Sequence, residues 1–139
     1  MIPVKVAISG QPGTGKTRTA LRIAKMIEDK FIIGGFTTHP IREEGEIIGY
    51  NLKDYTTGEE ELSASFRWDV KPRIPGKTPE SPHLGIRLDA VNRIATESVA
   101  KAIEEADLIL VDEVGKLVSE SKEFSVILKE ALKCGKPML

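Results

Sequence analysis

The chain is short of several things, and each shortage narrows what it can be. It has one cysteine, Cys134, in 139 residues. No internal disulfide can form, so a reducing cytoplasm is the expected compartment. With no reactive motif around it, Cys134 reads as a small apolar residue near a helix end. There are two histidines, His39 and His83; each falls in a loop without a partner at metal-ligand spacing. No apolar run approaches the roughly 20 residues a bilayer span needs, and the first residues enter a strand pattern rather than a leader. Charge of one sign is also missing. Net charge is -1, from 20 basic and 21 acidic residues, and the lysines are spread along the chain, so no nucleic-acid site stands out. The one tryptophan, Trp68, reads as a packed or half-exposed aromatic rather than a platform for a base.

What is present describes an ordered, globular chain. Hydrophobic residues make up 40% and charged residues 29%, enough for a real core, and residues 1–139 are read as one domain. Abundant Ile, Glu and Lys with little Gln is compatible with a thermophilic source. Nothing in the sequence decides the oligomeric state; a monomer is the simplest case.

The strongest local signal is Gly10-Gln11-Pro12-Gly13-Thr14-Gly15-Lys16-Thr17, which satisfies the phosphate-binding pattern G-x-x-x-x-G-K-[ST]. Residues 4–8 before it, Val-Lys-Val-Ala-Ile, read as a buried strand. Residues 17–29 after it place Ala20, Ile23, Ala24 and Ile27 on one helical face. Glycines let backbone N–H groups approach a phosphate without a Cβ in the way, and the helix N-terminus adds free donors and partial positive charge. Lys16 can reach the β- and γ-phosphates, and the Thr17 hydroxyl can hold Mg²⁺. Arg18 adjoins the loop and is counted with the nucleotide-binding residues.

Further along, residues 31–38 read as a second strand, with a bulge or close backbone approach at Gly34-Gly35. A Glu44-Gly45 turn leads to a third strand over 47–53, making a hairpin-like excursion from the sheet. Residues 62–70 form a weak strand. Residues 71–83, with four prolines, read equally as a flap over a site or a solvated connection. A strand over 84–88, an Asp89 N-cap and a helix over 90–106 follow. Ser121 is placed to cap a last helix and Gly135 to end it. Residues 136–139 look like the opening of another core strand, from which the sequence is expected to be a piece lacking its C-terminal segment.

The run Leu108-Ile109-Leu110-Val111 reads as a strand buried on both faces, and it ends in Asp112-Glu113. A hydrophobic strand ending in Asp is the Mg²⁺-binding partner of a phosphate loop, so Thr17 and Asp112 are the expected metal ligands. Glu113 is placed to deprotonate a water attacking the γ-phosphate. A cation on the developing charge is expected from Arg42, ahead of Arg18, Arg67, Arg73 and Arg87. Two other readings stay open: a kinase that passes the phosphoryl group to a bound acceptor, and a nucleotide-dependent switch module.

These stretches in this order resemble a known group. Ile8–Thr17, Gly35-Phe36-Thr37-Thr38-His39-Pro40-Ile41-Arg42-Glu43-Glu44-Gly45, Ile48-Gly49-Tyr50 and Leu108-Ile109-Leu110-Val111-Asp112-Glu113-Val114-Gly115-Lys116 are similar to the small nucleoside-triphosphatase family of archaea and thermophilic bacteria. Its animal relatives are called cancer-related nucleoside-triphosphatases. The resemblance implies a RecA-like α/β fold, with a mostly parallel sheet flanked by helices. It implies Mg²⁺-dependent hydrolysis of ATP, GTP and other nucleoside triphosphates to diphosphate and phosphate. It supports Gly10, Gly13, Gly15, Lys16 and Thr17 on phosphate and metal, Asp112 and Glu113 as the acidic pair, and Arg42 as a catalytic cation. It also implies some tens of residues beyond the position of Leu139.

Overall fold

The computed structural model describes residues 4–11 and 13–139. Its elements follow in chain order. Helix α1 spans Lys16–Ile27 and is followed by strands β1 (Ile33–Glu43), β2 (Glu46–Asp54), β3 (Glu60–Ser65), β4 (Arg73–Ile74) and β5 (Leu84–Ile86). Helix α2 (Leu88–Val91) runs through a π-helical stretch (Asn92–Thr96) into α3 (Glu97–Glu105). Strand β6 (Leu108–Val111) and helices α4 (Lys116–Ser119) and α5 (Lys122–Lys133) complete the described fold. No helix among the described residues is long and apolar enough to cross a membrane.

The six strands form one mixed sheet in the order β4-β5-β3-β2-β1-β6. Its parallel part is where the sequence pattern put it. β1 and β6 pair in parallel from Ile33↔Leu108 to Phe36↔Val111, and Met138 bridges in parallel to both Ile109 and Lys5. The expected hairpin is larger than its signal and draws the rest of the sheet after it. β1 and β2 pair antiparallel from Phe36↔Asp54 to Glu43↔Glu46, and β3, β4 and β5 continue antiparallel. The expectation of a mostly parallel sheet therefore holds for only one side of it. Glu44 and Gly45 make the tight turn with φ of 52° and 82°, the left-handed pair that suits the twist of a two-residue hairpin. Beyond Phe36, β1 has a neighbour on one side only, a setting that tolerates Pro40 within the strand.

Residues 4–8 depart most from expectation. They lie at the sheet's margin, not at its buried centre. Val4 and Val6 are 61% and 48% exposed. The Val6 N–H donates to the Met138 carbonyl at 3.0 Å and the Met138 N–H to the Val4 carbonyl at 2.9 Å. An apolar run marks strand character, but it cannot tell an edge from a centre. Lys5 anchors this segment by donating to the carbonyls of Ala131, Cys134 and Lys136, where a cation meets the negative end of α5.

Two cores flank the sheet. The larger packs Phe36, Leu52, Ile86 and Ile109 against Val91, Ile94, Val99 and Phe124. Phe36 and Phe124 meet edge to face at 5.7 Å, a favoured aromatic geometry. The smaller core sets Ala20 and Ala24 of α1 on Ile33 and Leu110. Ser121 caps α5 as expected, accepting the Phe124 N–H at 3.0 Å. Two cap expectations are corrected. Arg87 holds the N-cap position of α2, with Asp89 in its first turn, where an acid still complements the helix dipole. α5 ends at an extended Cys134, with Gly135 outside the left-handed region. The proline-rich 71–83 stretch is tied to the sheet through β4, so it is neither wholly flap nor wholly free connection.

The close approach read at Gly34-Gly35 is present. A Cβ on Gly34 would lie 2.7 Å from the Ala102 Cβ, and one on Gly35 1.8 Å from the Leu110 carbonyl oxygen. Gly35 also has φ of 119°. Gly35→Ala must therefore strain the backbone and push β1 off β6. The expected loss is about 3–5 kcal/mol, read from the denaturant midpoint; an unchanged midpoint contradicts this register.

Tyr55 provides a pH test of the packing beneath α1. Burial, then its 2.7 Å hydrogen bond to Glu28 and that carboxylate's charge, push the phenol up to about 12. The neutral phenol is the favoured form in the fold. Its contribution is complete below the ordinary value near 10 and disappears as pH rises to about 12. Melting temperature is expected to fall across that window in the parent protein, and Tyr55→Phe to abolish that component. An identical alkaline slope in the two proteins contradicts the assignment.

Candidate active site

The site forms where α1, β1 and β6 converge. Between residue 8 and α1 the chain turns through the glycine loop. Gly13 and Gly15 take φ of 83° and 95°, with open space where a Cβ would stand, as a backbone cradle for phosphate requires. The Thr14 N–H and hydroxyl both donate to the Gln11 carbonyl, at 3.3 and 2.8 Å. Lys16 folds over the loop and donates to the Gly10 carbonyl at 2.8 Å. Gln11 and Thr14, and Gly10 and Lys16, are thus tied together at the N-terminus of α1. Pro12, also expected in the binding loop, lies outside the described residues.

Asp112 follows β6 directly and is 6% exposed. Its Oδ1 accepts the Thr17 hydroxyl at 3.1 Å, and its Oδ2 accepts the Thr38 N–H at 3.1 Å. The Thr38 hydroxyl donates to the Asp112 carbonyl, and the Asp112 N–H donates to Phe36 at 3.1 Å. A nearly buried carboxylate is costly unless its oxygens are bonded, and here both are. The hydroxyl of Thr17 and the carboxylate of Asp112 are hard oxygen donors of the type Mg²⁺ prefers. No group of three or more His, Cys, Asp or Glu among the described residues could hold a metal alone. The donor set therefore fits a cation that completes its shell with phosphate and water oxygens.

Lys16, Thr17, Arg18, Arg42 and Glu113 share one cavity of about 680 Å³. Lys116 also lines it. Four cations thus face it against one acid, a local field suited to a polyanion. Its far wall is apolar: Ile47 and Tyr50 of β2, Ile74 of β4, Leu84 of β5 and Leu117 of α4. Gly115 leaves room for the Glu113 carboxylate, since a Cβ there would stand 2.9 Å from Oε1.

The arginines separate by place. Arg42 reaches the cavity wall through the long β1–β2 hairpin, and its Nη1 donates to the Gly45 carbonyl at 3.3 Å. Arg18, on the first turn of α1, lines the same cavity. Arg67 pairs with Glu43, Arg73 with Asp69, and Arg87 lies over the Trp68 ring at 4.3 Å. That stacking makes Trp68 a packing aromatic, as read. His39 is bonded to Thr37 at 2.7 Å, and Cys134 is half-buried at the end of α5.

Sequence reasoning left Thr38, Lys116 and the apolar wall without roles. Thr38 and Lys116 stand inside stretches already singled out. The sequence marks strands over 47–53 and 84–88, but nothing local shows that they share a wall with β4, which joins them only through sheet pairing.

The chain is similar to known proteins over nearly all of its length. A family model described as NTPase matches residues 5–139. The nucleoside-triphosphatase THEP1 of Methanocaldococcus jannaschii is 31% identical over 98% of this chain and 76% of its own length. That of Thermococcus kodakarensis is 34% identical over 98% and 74%. Among solved structures, the crystal structure of THEP1 from the hyperthermophile Aquifex aeolicus matches with a TM-score of 0.79 at 23% identity, covering 97% of this chain and 74% of that one. The solution structure of a human cancer-related nucleoside triphosphatase matches at 0.69 and 20% identity, over 100% and 74%. These two likenesses establish the α/β fold. With a phosphate loop facing an acidic strand end, and a family match over nearly its whole length, this chain belongs to the nucleoside-triphosphatase (NTPase) family of enzymes.

Proposed function

We propose that residues 1–139 act as one P-loop domain that hydrolyses nucleoside 5′-triphosphates, ATP and GTP among them, to diphosphate and phosphate with Mg²⁺. One observation carries this: Thr17 and Asp112, 95 positions apart in the chain, are hydrogen-bonded at 3.1 Å, and Glu113 shares a cavity with the Lys16 loop. The loop amides and Lys16 bind the β- and γ-phosphates. Thr17 and Asp112 hold Mg²⁺, which neutralises phosphate charge when bound. Glu113 accepts a proton from the attacking water. The new bond joins water oxygen to the γ-phosphorus, and the bond from that phosphorus to the bridging oxygen of the β-phosphate breaks. Arg42 and Lys116 are the cations placed to meet charge that spreads toward the cavity.

Glu113→Gln is expected to keep nucleotide binding and to lose turnover by about 10²- to 10⁴-fold. Lys16→Ala is expected to weaken binding and turnover together, and chelation of Mg²⁺ to stop phosphate release. Phosphate release from a panel of triphosphates, beside binding of a labelled nucleotide, checks all three. Unaltered turnover in Glu113→Gln removes the base assignment.

The apolar wall favours a second reading, in which an organic acceptor sits beside the terminal phosphate and takes the phosphoryl group in place of water. Hydrolysis predicts one phosphate released for each diphosphate formed, whatever hydroxyl compound is added. A persistent shortfall of phosphate with an added acceptor selects transfer instead.

A further inference from the structure

Asp112 is held by two different parts of Thr38. The carboxylate Oδ2 accepts the backbone N–H at 3.1 Å, a contact that a Val, Ser or Ala at this position still offers. The hydroxyl bonds elsewhere, to the Asp112 carbonyl oxygen. That oxygen belongs to the peptide joining Asp112 to Glu113. Its opposite side is also fixed, because the Asp112 N–H donates to Phe36 at 3.1 Å. The backbone is thus gripped on both flanks of the Asp112 Cα, and the second grip sets the plane from which Glu113 departs.

Glu113 needs such a grip. Its side chain is exposed and has no hydrogen-bond partner among the described residues. Gly115 is the close neighbour on one side. The backbone that carries it therefore fixes where the side chain starts, and Gly115 leaves the space its carboxylate takes. A base must lie within hydrogen-bond reach of the proton it takes, and a displacement near 1 Å is costly.

We infer that the Thr38 hydroxyl is a positioning group for the hydrolytic water activator. By fixing the Asp112–Glu113 peptide it aims Glu113, while the metal-facing carboxylate is held separately by the Thr38 N–H and the Thr17 hydroxyl. This rests on the proposed role of Glu113.

The test compares Thr38→Val, which keeps shape and loses the hydroxyl, with Thr38→Ser, which restores a hydroxyl. Each is assayed for phosphate release across nucleotide and Mg²⁺ concentrations, with thermal melting as a check on folding. In Thr38→Val, kcat is expected to fall about 10- to 100-fold, while KM and the half-saturating Mg²⁺ concentration change by less than about twofold. Thr38→Ser is expected to stay within about threefold of the parent. In a Glu113→Gln background, Thr38→Val is expected to add almost nothing, because residues acting as a unit are non-additive.

Parent-like kcat in Thr38→Val overturns the inference. So does recovery of the lost rate by excess Mg²⁺, equal damage from Ser and Val, or a full further loss in the Glu113→Gln background. If Thr38→Val does not fold, Thr38→Ala is taken through the same readouts and decides by the same outcomes. Full activity in Glu113→Gln alone is a different result: it removes the base assignment on which this inference stands.

Discussion

A single buried carboxylate ties this molecule together. Asp112 is removed from water, and a charge so placed is tolerated only where its oxygens are bonded. One bond comes from Thr17 on α1 and another from Thr38 on β1. Asp112 itself ends β6. Three elements distant in the chain must therefore be in register before this one group is satisfied. Misplacing any of them leaves an unpaired acid in the interior, so the same physics that penalises misfolding also assembles the site. Folding and site geometry are in this sense one constraint.

Two glycines make that convergence geometrically available. Gly35 admits the Leu110 carbonyl where a side chain would stand, and Gly34 admits Ala102 of α3 from the other face. With β1 pressed this closely on β6, the pair Phe36↔Val111 brings Thr38 opposite the acid that follows. β1 then continues alone into the hairpin, carrying Pro40 and Arg42 to the cavity wall. One strand thus contributes core, carboxylate anchor and cavity lining in sequence. The parallel side of the sheet carries the phosphate loop and the acids; the antiparallel side builds the wall they face.

How much of this was legible depended on how local each cause was. The glycine loop could be read because backbone freedom at Gly13 and Gly15, and a lysine beside a helix start, are properties of adjacent residues. Asp112-Glu113 could be read because four apolar residues in a row announce a buried strand just before them. Ser121 could be read as a cap because capping is a three-residue event. The margin position of residues 4–8 could not. Their apolar run looks the same at an edge as at a centre, and the neighbour that decides, Met138, lies at the far end of the chain. β4 escaped for the same reason. Two residues within a proline-rich stretch carry no periodicity, and they become a strand only because β5 is there to pair with them. Asp89 misled because Asp fits both an N-cap and a first turn, and only the backbone of Arg87 distinguishes them.

The same distinction governs charge. A net charge of -1 argues against any global attraction to polyanions. Yet Lys16, Arg18, Arg42 and Lys116 meet around one cavity, with Glu113 as the acid among its lining residues. They arrive on three structural supports: the first turn of α1, the hairpin and the start of α4. Solvent and salt screen charges beyond roughly 8–10 Å, so the field in this cavity is set by this cluster and the adjacent Asp112, not by distant acids. The glycine-loop end of the cavity is set by a pattern of adjacent residues. The wall opposite is made by Ile47, Tyr50, Ile74, Leu84 and Leu117, which no single stretch of sequence brings together. The residues easiest to recognise are those whose pattern is local; those of the wall meet only once the antiparallel half of the sheet is in place.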